Sequence, residues 1–191
     1  MLLGGNALAR AEQDRSPARC VMVNHTISCF QSCFPTIKIR LLDNVETVNA
    51  QASRSRDQHL IDVFGGFAFN PDTGTEALKF LLLHELGHHL SPGPRMSQGS
   101  QLACDCAADV WAVTQGVAQL AAHNLAMDLD EAMAQMDKAL PSSLNSMETD
   151  CSRDERCWCC CWSRRKHLLC NRGMAGQPSR CFMFEPRMST Y

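Results

Sequence analysis

No apolar run in this 191-residue sequence approaches the roughly 18 to 20 residues needed to cross a bilayer. Cysteine aside, Phe80 to Leu83 is as long as any, at four residues. The formal net charge is only -2, which makes no case for a nucleic-acid partner. Met1 to Arg10 has neither a basic start nor an adequate apolar core for a signal peptide. The expectation is a soluble protein with no membrane span, and the sequence assigns it no compartment. Tyrosine is nearly absent, with Tyr191 the single residue of its kind.

Cysteine, by contrast, is plentiful. Seven of the twelve cysteines fall between Cys151 and Cys181. Residues 151 to 191 also hold 8 of the 18 Lys and Arg but 3 of the 20 Asp and Glu, so this stretch is +5 and the remainder is -7. Such a density of cysteine reads as disulfides in an oxidising compartment or as metal sites in a reducing one. The expected organisation is an irregular N-terminal segment (1–34), one domain (35–141) and a Cys-rich basic tail (142–191). An apolar fraction of 45% is enough for a real core.

Residues 1 to 34 show no clear period and read mostly as loop, with at most a short helix near Met22 to Gln31. Asn24-His25-Thr26 fits a glycosylation sequon, a triplet common by chance. Ile37, Ile39 and Leu41 alternate with Lys38 and Arg40, the period of a half-buried strand. A second strand is expected from Leu60 to Phe64, with polar Gln51 to Gln58 a loop or hairpin connection between them. Thr73 and Glu76 have capping-box spacing. From Ala77 to Leu90 the sequence is apolar on nearly every helical face, Lys79 being the main exception, which places the helix inside a fold. Ser91-Pro92-Gly93-Pro94 ends it. Gln101 to Gln115 is helical by composition, Gly116 is a candidate break, and Val117 to Ala126 follows. Asp128 has the position of an N-cap for a last amphipathic helix carrying Leu129, Ala132, Met133, Met136 and Leu140 on one face. Met133 and Met136 read as core filler.

That buried helix contains His84-Glu85-Leu86-Gly87-His88, an HExxH stretch. Residues four apart on a helix share a face, so His84 and His88 can point at one metal ion, with Glu85 placed to act on a water beside it. Chance supplies the three fixed positions in a chain this long with a probability on the order of one per cent. Two imidazoles and a carboxylate inside an apolar helix are costly unless paired or metal-bound, which strengthens the metal reading. His89 faces about 100° away from His88 and is expected to be structural or exposed.

Catalytic zinc takes three protein ligands and keeps one position open. The extended HExxHxxGxxH pattern is absent, because Ser91 and Pro94 stand at its later positions. The candidate third ligand lies in Asp105-Cys106-Ala107-Ala108-Asp109, an i, i+4 carboxylate pair on a helix of packed composition. One carboxylate would bind the metal and the other would orient an imidazole. Cys104 and Cys106 turn away on either side and read as packing.

These elements resemble a gluzincin zinc metallopeptidase of the minimal-domain type, related to the HtpX-like heat-shock and CAAX-prenyl proteases. The resemblance rests on Ile37 to Leu41, Asn49-Ala50, Leu60 to Gly66, His84 to His88 and Asp105 to Asp109, and covers about residues 36 to 120. It implies an α+β, zincin-like fold: a small mixed sheet over an active-site helix, further helices following, and an edge strand able to bind an extended peptide. Where the family has a metal-binding Glu this chain has Asp105, and the family's transmembrane helices are missing. The implied function is hydrolysis of a peptide or protein substrate with one catalytic Zn2+, Glu85 acting as general base. For the oxyanion partner the sequence offers His123 or Arg187. The competing expectation is a zinc-binding or inactive zincin-like interaction protein with a Cys-rich metal or disulfide module, of which Cys157 and Cys160 supply a single CxxC.

Overall fold

The computed structural model describes residues 13–140 apart from Gln98. The Cys-rich segment, Arg187 and the single tyrosine lie outside the described residues. The chain is mixed α+β. Helix α1 spans Pro17–Cys33, and strands β1 (Ile37–Leu42), β2 (Ala50–Ser55) and β3 (Gln58–Phe64) follow. A short α2 (Gly65–Ala68) leads to α3 (Thr75–Leu90), then α4 (Asp105–Trp111), a π-helical turn over Ala112–Gly116, α5 (Val117–Ala122) and α6 (Leu129–Ala139). No helix among the described residues is long and apolar enough to cross a membrane.

Of the described part of the N-terminal stretch, residues 17–33 form a full helix rather than loop. Ser16-Pro17, which looks like punctuation, is its start: Ser16 Oγ accepts the Arg19 N–H at 3.3 Å and Pro17 occupies the first turn. Its buried residues are Arg19, Val23, Thr26 and Phe30, a helical stripe hidden from composition by two polar members. The sequon triplet therefore lies inside this helix. Arg19 is buried because it donates to three carbonyls ahead of α3: Ala68 and Asn70, both at 2.8 Å, and Thr73. Burial pulls its pKa below the ordinary guanidinium value, with Asp14 opposing.

The sheet order is β1-β3-β2. β1 runs parallel to β3, with Ile37 opposite His59, and β2 runs antiparallel to β3, with Ala50 opposite Val63. β1 alternates as its sequence predicts, Ile37 and Ile39 inward and Lys38 and Arg40 outward, and Arg40 pairs with Asp62 at 2.6 Å. The polar stretch expected as a connection is itself the edge strand β2, closed by the two residues Arg56-Asp57. Arg56 adopts φ 53, the left-handed conformation such a tight turn needs, without the Asn-Gly signature that usually announces it.

Helix α3 is the centre of the fold. Every residue from Ala77 to His88 is buried except Lys79, which reaches out to Glu76 and the Ala126 carbonyl. Around it pack α1, the sheet, α4 with the π turn, and α6. Its largest fully buried neighbours include Phe30, Phe67, Ile61 and Leu120. The expected Thr73 cap is not used. The N-cap is Gly74, Thr73 is buried ahead of it, and Gln135 of α6 supplies the acceptor for the Ala77 N–H at 3.0 Å. Glu76 is drawn off by Lys79 and by the Asp128 N–H.

Gly116 does not break the helical run. The segment continues from Asp105 to Ala122 through the π turn, and a β-carbon at 116 would lie 3.0 Å from both Leu83 and Trp111. Glycine there serves close packing. The start comes later than composition suggests, at Asp105, because residues 95 to 103 form a loop tied by the Arg95–Ala103 bridge. Asp128 caps α6 as expected, accepting from the Asp130 and Glu131 N–H groups at 3.0 Å each.

Candidate metal centre

The geometry of the centre begins with the one glycine of α3. Gly87 faces Ala108 of α4 so closely that a β-carbon would stand 2.5 Å from the Ala108 carbonyl oxygen. This small-on-small crossing brings α4 near enough for two short aspartates to reach the histidines. Asp105 and Asp109, one turn apart, meet His84 and His88, one turn apart, across that crossing.

Each imidazole is wired so that Nε2 faces its partner. His88 Nδ1 donates to the Ala103 carbonyl at 2.7 Å, and a carbonyl only accepts, so Nε2 carries the lone pair. His84 Nδ1 donates to Asp109 Oδ1 at 2.7 Å, which turns its Nε2 towards His88. The two Nε2 atoms stand 3.1 Å apart. Asp105 Oδ1 lies 3.4 Å from His88 Nε2 and 3.8 Å from His84 Nε2. Among the described residues, His84, His88 and Asp105 form a group of three metal-ligating side chains whose donor atoms all fall within 4.8 Å of one another.

Burial first, and then the neighbouring His84, push the His88 pKa down to about 4. At neutral pH His88 is therefore neutral, and its Nε2 lone pair faces His84 Nε2. A cation held by both nitrogens would take the place of a proton between them. Two ligands about 2.0–2.1 Å from one tetrahedral ion are separated by roughly 3.3 Å, close to the spacing found. The donor set of two imidazoles and one carboxylate suits a borderline divalent ion. The group can hold a metal ion, with Asp109 and the Ala103 carbonyl fixing the orientation of its two histidines.

Glu85 extends to the sheet side. Its Oε2 accepts the Ala52 N–H of β2 at 2.6 Å. That N–H is available because Phe64 donates to the Asn49 carbonyl, which makes 49 and 64 a hydrogen-bonded pair of the antiparallel ladder. Pairs then alternate, so the main-chain groups of Ala50, Ala52 and Arg54 point away from β3. Between this outward edge, α3, α6 and the loop before α4 runs a cleft of about 410 Å³, lined by His84, Glu85, His88 and Asp105 among others.

The structure thus brings together all five site residues expected from sequence: Glu85, His84, His88, Asp105 and Asp109. His123 is not among the cleft residues. It closes α5 on the exposed surface, carried about 20 Å past Asp109 at 1.5 Å per helical residue. Arg187, the other oxyanion candidate, lies outside the described residues. His89 turns to the sheet, bonded to the Leu60 carbonyl at 3.0 Å and stacked on His59 with ring centres 4.9 Å apart. Cys104 and Cys106 are buried in a small cluster with Ala103 and Ala107. Sequence reasoning missed Ala52, Met96 and Leu102 as cleft residues and placed Met136 wholly in the core. The one available signal was the Asn49-Ala50 pair, which marks the edge strand but not its contact with Glu85.

No family model, curated protein or solved structure matches this chain.

Proposed function

We propose that this protein is a zinc-dependent metallopeptidase of gluzincin type, with a zincin-like fold. The observation that carries the reading is the pair of Nε2 atoms 3.1 Å apart, both Nδ1 positions engaged elsewhere, with Asp105 completing the trio and Glu85 in the same cleft. His84, His88 and Asp105 would hold Zn2+, which when bound lowers the pKa of water and polarises a carbonyl.

The chain's own residues do the rest. Asp109 and the Ala103 carbonyl keep both imidazoles in the ligating tautomer. Glu85, steadied by the Ala52 N–H, takes the proton of the attacking water and returns it to the leaving amine. The outward main-chain groups of Ala50 and the outward carbonyl of Ala52 flank the cleft, so an extended peptide can run beside β2 as an added strand. The small side chains of Ala50 and Ala52, both buried, let that edge lie close against α3.

The test is zinc content and peptide cleavage measured together on wild type and Glu85→Gln. The expected outcome is one zinc in both, chelator-sensitive cleavage by wild type, and loss of cleavage by the variant. Chelator-sensitive cleavage retained by Glu85→Gln would defeat the assignment.

A further inference from the structure

The cleft has a chemical asymmetry that bears on what it accepts. Its titratable lining residues are His84, Glu85, His88 and Asp105, each already assigned to the metal trio or to the base position. The remaining side-chain walls are apolar, with only the amides Asn49 and Gln51 on the strand side. Phe80 and Leu81 precede His84 and Glu85 by one helical turn and continue the same stripe of α3. Opposite them, Met136 and Leu140 are themselves four apart at the end of α6. The α3–α6 crossing is fixed by Gln135 on the Ala77 N–H and by Glu76 on the Asp128 N–H, so this wall is built rather than incidental.

Resting on the peptidase reading, we propose that the cleft selects a substrate residue with a large apolar side chain next to the scissile bond, seated between Phe80 and Leu81 of α3 and Met136 and Leu140 of α6. A Lys or Asp side chain entering that pocket would leave water without gaining a partner, whereas an aliphatic or aromatic one gains by burial. The methionine gives the wall an unbranched, adaptable side chain, so Leu, Met and Phe are all accommodated rather than a single shape. Met136 thus has two duties, closing the core under α3 and shaping the pocket floor.

The experiment uses the full-length, zinc-loaded protein and internally quenched peptides that differ at the two positions flanking the cleaved bond. Leu, Met or Phe at one flanking position is expected to raise kcat/KM about tenfold or more over Lys or Asp there, the range a hydrophobic pocket discriminates. Met136→Phe, which fills the pocket, should shift preference towards Ala. Leu140→Ala, at the half-buried helix end, should shift it towards Phe, and it tests the same wall if the first variant does not fold. Equal cleavage of the Leu, Lys and Asp peptides would overturn the proposal. The same peptides are also titrated against zinc-loaded Glu85→Gln by fluorescence anisotropy, with no turnover. If wild type cleaves nothing, the peptidase reading fails, and the anisotropy order decides the pocket alone: apolar over charged supports it, no difference overturns it.

Discussion

The main-chain N–H of Ala52 on the sheet edge donates to Glu85 Oε2 on the central helix at 2.6 Å. This bond joins the carboxylate proposed as the base to the strand along which a peptide would lie, so one contact positions both. Ala52→Pro removes that donor alone, because proline is tolerated on an edge strand where the N–H points outward. The expected result is a folded, zinc-loaded protein with peptidase kcat lowered about tenfold or more, within the range that general-base catalysis supplies. Circular dichroism and zinc content check the fold. Unchanged kcat would show that Glu85 needs no anchor.

Asp105 and Asp109 differ in what they touch, and their variants should differ accordingly. Asp105→Ala removes a metal donor and should abolish stoichiometric zinc binding. Asp109→Asn keeps a hydrogen-bond acceptor for His84 Nδ1 but removes the charge, and should weaken zinc by roughly 10- to 100-fold, as loss of such orienting partners does. Competition with a chromophoric chelator measures both. Equal losses in the two variants would contradict the assignment of roles.

Gly87 is the hinge of the α3–α4 crossing. In Gly87→Val, side-chain atoms would collide with the Ala108 backbone, where a β-carbon alone meets three atoms within 2.9 Å. The helices must separate, and with them Asp105 from the histidines. We expect a stability loss of about 1–3 kcal/mol, the usual cost of overpacking, together with weakened zinc binding. Urea denaturation with and without zinc checks it, and a variant of wild-type stability and zinc affinity would count against the crossing as described.

The pH dependence of the metal-free protein follows from His88. Burial and then His84 hold its folded pKa at about 4, below the ordinary 6.5 of the unfolded chain. Between those values the unfolded state binds the extra proton, so stability from this group is fully present above about pH 6.5 and lost as the pH falls towards 4. The loss amounts to up to about 3 kcal/mol at 1.36 kcal/mol per pKa unit. Thermal melts of the apo protein across this window should show a falling Tm that His88→Gln blunts. A Tm independent of pH in that range would contradict a neutral, buried His88.

Much of the centre was legible in the chain because it is local. The i, i+4 spacings of His84 with His88 and of Asp105 with Asp109 put each pair on one helical face whatever the surroundings. The continuous burial of α3 was legible too, since only an interior helix tolerates apolar residues on every side, and Lys79 was correctly the exception. Strand β1 announced itself by alternation. Helix α1 did not, because its buried stripe includes Arg19 and Thr26, whose partners lie 51 or so residues away or within the helix itself. Strand β2 did not either: Ala-Gln-Ala-Ser-Arg-Ser has little intrinsic preference for a strand, and only the ladder to β3 and the buried faces of Ala50 and Ala52 make it one.

The sequence by itself determined the pairing of His84 with His88 and of Asp105 with Asp109 on single helical faces, the place of Glu85 beside the histidines and the buried helix that carries them, because helical periodicity acts within a few residues. Tertiary structure decided which side chains meet. Gly87 against Ala108 sets how near Asp105 comes to the two Nε2 atoms. The ladder register turns the Ala52 N–H outward to Glu85. The α3–α6 crossing converts Met136 and Leu140 into the wall of a cleft. Each of these is a long-range steric or hydrogen-bond match, and no pattern within one segment encodes it.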